Sequence, residues 1–481
     1  MMSAFEIARP EIFLLIAACV VLLLDLFVGK NARVVTYLAT QASLLTTALL
    51  IYSSSFNQEM KVVGLDRMYV LDELAGFLKI SIVGFAMLSF IYARKYLRDQ
   101  NLWRGEFFVL GMTSVLGMLI MSSGYNLLVL YLGLEVLSLS MYALVALHRD
   151  NGKAIEAAMK YFILGAVGSG MLLYGMSLLY GISGGLGVDH LSTFFNAQPA
   201  NDVKVLFALT FIVAGLAFKL GAVPFHMWLP DVYQGAPTAV TLFLGSAPKV
   251  AAFALVMRIL AEGLGSVEES WSQMLMVLGL LSIIVGNLFA VAQHNMKRML
   301  AYSTISHMGF IIMGVITSSH IGYSAAMFYV VTYALMSAAA FALLILLSRT
   351  GYEAETLDDL KGLNERSPWL AFLVMLMMLS MMGFPLTVGF YSKLAVIQAV
   401  VGKELVWPAV IMVVMSVVGA FYYLRVLKLM YFEKPADNTT IDVGIDFYGV
   451  LSVNSLLLLG LGVFPGGLMA LCSAVLSASQ L

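Results

Sequence analysis

Three lysines and a glutamate stand where charge is costly. Glu135 lies in YNLLVLYLGLEVLSLSMYALVAL, Lys219 and Lys249 in AFKLGAVPFHMWLPDVYQGAPTAVTLFLGSAPKV, and Lys393 in SMMGFPLTVGFYSKLAV. Each run is apolar enough for a lipid bilayer, where a mid-helix lysine costs roughly 2.5–3.5 kcal/mol on insertion scales. A carboxyl group among apolar chains favours its neutral form, and a nearby ammonium pulls it back to the charged one. Protonation that follows a neighbour's charge is what a proton relay requires. A buried ammonium behaves conversely, so a change of carboxylate partner would load or release a proton. The bland readings are a structural hydrogen bond for Glu135 and snorkelling for the lysines, although Lys219 and Lys249 lie far from either membrane surface. Pro224, Pro248 and Pro385 accompany the lysines. Proline removes a backbone donor and clashes with the preceding turn, which opens helix carbonyls beside these charges.

Other ionisable residues divide more evenly between function and structure. Lys160 has Glu156 one turn earlier at the i,i+4 spacing, so an intrahelical ion pair competes with a place on the path. His226 and His307 can act as neutral donors and acceptors or as cations. His307 shares its span with Ser303, Thr304 and Ser306, hydroxyls dense enough to hold a water file. Lys79 reads better as a snorkelled or paired lysine, with Asp72 and Glu73 as neighbours, and Asp25 as paired near the end of the first span.

The elements that hold these groups are membrane helices. Of 481 residues, 61% are hydrophobic and 11% charged, and mean hydropathy is +0.93, whereas soluble domains are about 25% charged. A net charge of −1 gives no basic surface for nucleic acid. Cys19 and Cys472 lack any paired spacing, and the six histidines are scattered without zinc-ligand spacing. There is no P-loop and no strand followed by GxGxxG. No cofactor or metal is expected in this chain, so redox chemistry belongs to other chains.

Spans of about 20 residues fall near 11–29, 34–55, 70–93, 106–123, 125–147, 154–180, 203–229, 237–261, 271–293, 298–318, 320–348, 368–401, 405–432 and 447–475. That is fourteen. Of the 27 lysines and arginines, 16 fall in odd-numbered loops or at the span ends beside them, 6 in even-numbered loops, the span ends beside them and the amino terminus, and 5 well inside spans. The positive-inside rule then puts both termini on the outer side of the membrane. The amino terminus lacks a signal-peptide pattern and reads as a retained first span. Linkers near 181–202, 349–367 and 433–446 read as solvated. Spans 4–8 and 9–13 form two blocks of five, with Pro224 and Pro385 each in the fourth member. Five being odd, the second block is inverted. Proline-interrupted spans at matching positions of two halves point to a transporter's ion site. The units are helices 1–3 (1–105), the first repeat (106–262), the second (263–435) and helix 14 (436–481).

The runs FKLGAVPFHMWLPDVYQGAPT, GNLFAVAQHNMKRMLAYSTISHMGF and MMGFPLTVGFYSKL resemble the antiporter-like, proton-conducting subunits of bacterial respiratory complex I. The DVYQGAPT form, chain length and a lysine rather than a glutamate in span 12 resemble the N-type branch of that family. The resemblance implies an all-α fold of fourteen helices with two inverted five-helix repeats and discontinuous helices 7 and 12. It implies that Glu135 modulates Lys219, that Lys249 connects onward, and that Lys393 faces the outer half-channel, with Lys160 and His307 on the polar axis between. NADH, FMN, iron–sulfur clusters and quinone are then expected in partner subunits, with antiporter-like sisters, small membrane subunits and the lipid bilayer as partners, in a bacterial inner membrane. A cation/proton antiporter or membrane hydrogenase subunit, and a non-transporting scaffold, remain open.

Overall fold

The computed structural model describes residues 4–29, 33–56, 61–197, 202–435 and 444–480. Lys30, counted above among the loop cations, and residues 436–443 of the last linker lie outside them. Long apolar runs become helices, and capping residues fix where they start. Asn126, Asn151, Asp202 and Asn295 each accept a first-turn backbone N–H at 2.9–3.0 Å, satisfying donors that lipid would leave bare.

The chain begins with α1 (Arg9–Phe27), α2 (Val34–Ser55) and α3 (Glu73–Asp99), followed by α4 (Gly105–Ser123), α5 (Leu127–Val145) and α6 (Gly152–Ser183). Span 7 is two helices, α7 (Val203–Leu220) and α8 (Trp228–Gly235). Span 8 is α9 (Thr238–Leu244) and α10 (Ala247–Val256), ending in a π-helical stretch, Met257–Gly263. The helices α11 (Glu268–Val291), α12 (Met296–Val315) and α13 (His320–Leu347) run unbroken. Span 12 splits into α14 (Pro368–Met382) and α15 (Val388–Gly402), α16 (Val406–Phe432) is span 13, and α17 (Ile445–Val463) with α18 (Gly466–Ala478) forms span 14.

Among the described residues, twelve helices are long and apolar enough to cross a membrane. The remaining expected spans are α12, whose start carries Lys297 and Arg298, and the α14–α15 pair, whose halves are 15 residues each. The all-α, polytopic class with broken helices 7 and 12 therefore stands. At the centre, residues 238–260 are all buried in protein. At the rim, α1 and α16 leave Phe27 and Trp407 89% and 79% exposed, as a lipid-facing surface requires.

Both long breaks use one device. Gly221 and Gly383 take φ of +81° and +87°, a region open to glycine. The next N–H turns back to the carbonyl five residues earlier, Ala222 to Ala217 at 2.8 Å and Phe384 to Leu379 at 2.9 Å. This is the Schellman cap, and it stops the helix while leaving its last carbonyls available. Pro224 and Pro385 lie in the loops that follow. Pro248 is a correction: it sits in the first turn of α10, where its missing N–H removes no helical bond. The interruption of span 8 falls just before it, at Gly245–Ser246.

Other expectations also change. Span 14 has a break at Pro465 that was not anticipated. The 181–202 linker contains a helix, Val188–Asn196, because Val188, Leu191 and Phe195 share a face and bury together. A two-stranded antiparallel hairpin, Val62–Gly64 with Tyr69–Leu71, precedes α3.

The 349–367 linker is not merely solvated either. It delivers Glu353 to the corner between α8 and α9. Glu353 accepts from Tyr96 Oη–H (2.7 Å), from the Thr238 amide (3.1 Å) and from Lys297 Nζ (2.8 Å). Lys297 is fully buried and also donates to the Ala236 carbonyl at 3.0 Å. The anion thus meets the amino end of α9 while the cation meets the carboxyl end of α8, each favoured by the helix dipole. Burial alone would raise the Glu353 carboxyl, but Lys297, Thr238 and Tyr96 hold it down to about 2. A carboxylate depressed from its ordinary 4.5 stabilises the fold above that value and loses the contribution as pH falls toward about 2. The contribution is on the order of 3 kcal/mol. Thermal unfolding in detergent should show Glu353→Gln melting lower than the parent at pH 7, with the gap closing below about pH 4.5.

Candidate functional site: a chain of buried lysines

The helix breaks supply acceptors, and lysines occupy them. Lys249, 2% exposed on α10, donates to the Leu220 carbonyl at the end of α7 at 3.0 Å. Lys393 on α15 donates to the Met382 carbonyl at 2.8 Å and the Met381 carbonyl at 3.4 Å, both at the end of α14. Each ammonium therefore sits on the negative end of a truncated helix dipole. Aromatic faces complete the shells, Trp228 at 5.5 Å from Lys249 and Phe310 at 5.5 Å from Lys393.

Lys219, near the end of α7, donates to Ser138 Oγ at 2.9 Å, and Ser138 passes its own hydrogen to the Leu134 carbonyl at 2.7 Å. Glu135 is three residues before Ser138 on α5. Among the described residues no ion pair joins Glu135 to Lys219, and Glu135 Oε1 is buried without a hydrogen-bond partner. A buried acid oxygen left unpaired is rare in a folded protein and marks a candidate functional group. A cavity of about 30 Å³ lies between Lys219 and Lys249, lined also by Ser138, Tyr161, Trp228 and Pro248. One water needs about 10–15 Å³ on this measure, so the cavity can bridge the two ammonium groups.

Farther along, His307 on α12 contacts Tyr329 Oη through Nδ1 at 2.9 Å and Tyr423 Oη through Nε2 at 3.2 Å. Tyr423 also bonds Ser303. Beside them, Tyr422 donates to Asn287 at 3.2 Å and Asn287 to Ser306 at 2.9 Å. The hydroxyl-rich face of α12 is thus a buried network. Lys393 lines a cleft of about 400 Å³ at the α14–α15 break, whose walls include Phe384, Pro385 and Ser416.

Two expected members stand apart. His226 is in the loop between α7 and α8, and its Nδ1 is buried without a hydrogen-bond partner, away from the lysine cavity's lining. Lys160 pairs with Glu156 at 2.8 Å as its spacing foretold, and equally with Asp231 on α8 at 2.8 Å. Asp231 takes Arg298 as well at 2.7 Å, so one carboxylate ties α6 to α12. Lys79 is paired, but with Glu11 at 2.5 Å rather than Asp72 or Glu73. Asp25 accepts from the Thr36 hydroxyl at 2.9 Å.

Asp72 is committed elsewhere. It caps the start of α3 and takes both Arg258 nitrogens, at 2.7 and 2.8 Å. Arg258, at the end of span 8, is counted with the even-numbered loop beside it, yet it is fully buried and also holds Glu262 at 2.7 Å. Its i,i+4 acid was a signal that loop counting passed over, as were Lys297, Arg298 and Asp231. Arg258→Met would strand the buried Asp72 carboxylate and leave Glu262 with Lys61 alone, at a cost of about 3–5 kcal/mol. The amount of folded protein recovered from membranes should fall sharply. Arg258→Met with Asp72→Asn should recover part of it.

Residues 124–419 match the family model described as NADH:quinone oxidoreductase/Mrp antiporter, transmembrane. The chain is 53% identical to the NADH-quinone oxidoreductase subunit N of Thioalkalivibrio sulfidiphilus, covering 97% of each chain. It is 51% identical to that of Alkalilimnicola ehrlichii, covering 99% of this chain and 98% of the relative. Among solved structures, a chain of respiratory complex I from Thermus thermophilus aligns with a TM-score of 0.82 at 29% identity, over 96% of this chain and 99% of that one. A chain of the Mrp complex from Dietzia reaches 0.87 at 20% identity, over 100% and 98%, a likeness of fold alone. With half its residues identical over nearly its whole length, the chain belongs to the subunit N family of NADH-quinone oxidoreductases, among the antiporter-like membrane subunits.

Proposed function

We propose that this chain moves protons across a bacterial inner membrane as a subunit of a proton-translocating NADH:quinone oxidoreductase. The observation that carries the proposal is the pair of lysines on carbonyls freed by broken helices, with a water-sized cavity between Lys219 and Lys249. Glu135 sets the charge on Lys219, Lys249 passes the proton on, the His307 network relays it, and Lys393 releases it. Residues 106–262 and 263–435 form the two inverted half-channels. Both termini face the outer side, which places Lys160 and Asp231 at the inner mouth.

Electron transfer belongs to partner subunits, which hold NADH, FMN, iron–sulfur clusters and quinone. Moving one charge against 100 mV costs about 2.3 kcal/mol, within reach of rearranging one buried ion pair. Identity of about half the residues to subunit N proteins, against 20% to the Mrp chain, favours the oxidoreductase over a cation/proton antiporter.

Lys219→Ala in the assembled complex should lower proton uptake into inverted vesicles, per NADH oxidised, by the share this chain carries beside its antiporter-like sisters. Wild-type uptake in that variant would rule this path out.

A further inference from the structure

Helices α6 and α8 meet twice, once through charge and once through aromatic rings. Lys160 of α6 pairs with Asp231 of α8 at 2.8 Å. The next residue of α6, Tyr161, stacks on Trp228 of α8, with centroids 4.7 Å apart and planes 13° from parallel. The two contacts face different spaces. Lys160 and Asp231 line open clefts of about 700 and 200 Å³. Tyr161 and Trp228 line the enclosed cavity of about 30 Å³ that holds Lys219 and Lys249. The stacked rings thus line the lysine cavity one residue away from the Lys160–Asp231 pair that lines the clefts.

We propose that Trp228 and Tyr161 form a gate at the entrance to the lysine cavity, keyed by the charge on Lys249. This rests on the proton path proposed above.

Trp228 is held on three sides. Its Nε1–H donates to the Phe218 carbonyl at 3.1 Å, Phe218 stacks on its ring, and Lys249 Nζ lies 5.5 Å from its centroid. A cation over an indole face is attracted most strongly where water is excluded, and the attraction ends when the cation loses its proton. Protonated Lys249 therefore keeps the gate shut behind the proton it carries. Once Lys249 passes that proton to an acceptor farther along the path, Trp228 loses this contact and the gate loosens. Water from the cleft then reaches Lys219 and the cavity is loaded again.

The local chain suits such motion. Trp228 is the first residue of an eight-residue helix preceded by the non-helical stretch 221–227. The charges facing the gate are Lys153, Glu156, Lys160, Asp231 and Arg298 on the cleft side and Lys219, Lys249 and Glu135 on the other. Asp231 keeps Arg298 as counter-ion when Lys160 moves away, so parting the Lys160–Asp231 pair strands no carboxylate. The gate admits a proton only after the previous one has left, which is what prevents backflow.

The test uses inverted vesicles containing the assembled complex, its amount fixed by native gel. Protons taken up per NADH and passive proton leak after blocking electron transfer are both measured. Trp228→Leu keeps apolar bulk without a π face and should lower the ratio toward that of Lys219→Ala while raising the leak several-fold. Trp228→Phe keeps a π face and should retain most of the ratio. Tyr161→Leu, which removes the other ring, should repeat the Leu result and serves if Trp228→Leu fails to assemble. Wild-type ratio and leak in assembled Trp228→Leu or Tyr161→Leu would overturn the gate, as would equal leak in Trp228→Phe and Trp228→Leu. Lys219→Ala run alongside separates the two ideas: normal pumping there sinks the path itself, whereas lost pumping there with normal Trp228→Leu sinks only the gate.

Discussion

An ammonium group donating to the last carbonyls of a truncated helix is the interaction on which the rest of this structure depends. In lipid an unpaired carbonyl and an unpaired cation are each expensive, and neither would persist alone. Together they satisfy one another. The end of α7 receives Lys249 and the end of α14 receives Lys393, from different elements but with the same result. Such a cation is held without a carboxylate locked to it, so its charge can change without leaving an anion stranded.

Everything around the two breaks serves to keep them in register. Schellman caps at Gly221 and Gly383 end the helices in matching geometry. Gly389 leaves room for the Ser380 carbonyl, which an added Cβ would meet at 1.8 Å, and Gly462 does the same for the loop at Leu386 and Thr387. The Lys297–Glu353 pair fixes the corner between α8 and α9, so the second block holds the first at the point where its broken helix ends. Arg258 with Asp72 and Glu262 ties the α3 start to the end of span 8. These fully formed ion pairs hold the bundle, whereas Glu135 and Lys219 remain without a fixed partner in each other.

Residues that violate their surroundings were legible in the sequence. A lysine between apolar runs is anomalous at any register, so Lys219, Lys249 and Lys393 stood out with the prolines beside them. Charges near the ends of spans were not legible, because there a loop explains them equally well. Lys297 finds Glu353 56 residues away and Arg258 finds Asp72 186 residues away, pairings that no local pattern encodes, although Glu262 lies one turn from Arg258. Lys79 shows the same limit, since nearby acids in the chain were a poorer guide than Glu11 across the fold. Pro248 misled for another reason: proline at the first turn of a helix and proline within one look alike until the start is known. The Pro465 break and the hairpin before α3 depend on contacts with neighbouring elements and left little trace in hydropathy.

The central claim is that Lys249 must lose and regain its proton, rather than simply anchor a broken helix. Arginine separates these roles, since it donates to carbonyls as lysine does but stays charged at any accessible pH. Proton uptake per NADH should therefore be measured in vesicles carrying Lys249→Arg complex at wild-type abundance. The account predicts assembled complex with proton uptake per NADH lowered to the level of Lys219→Ala. Uptake at the wild-type ratio would mean that a fixed positive charge suffices, and would contradict it.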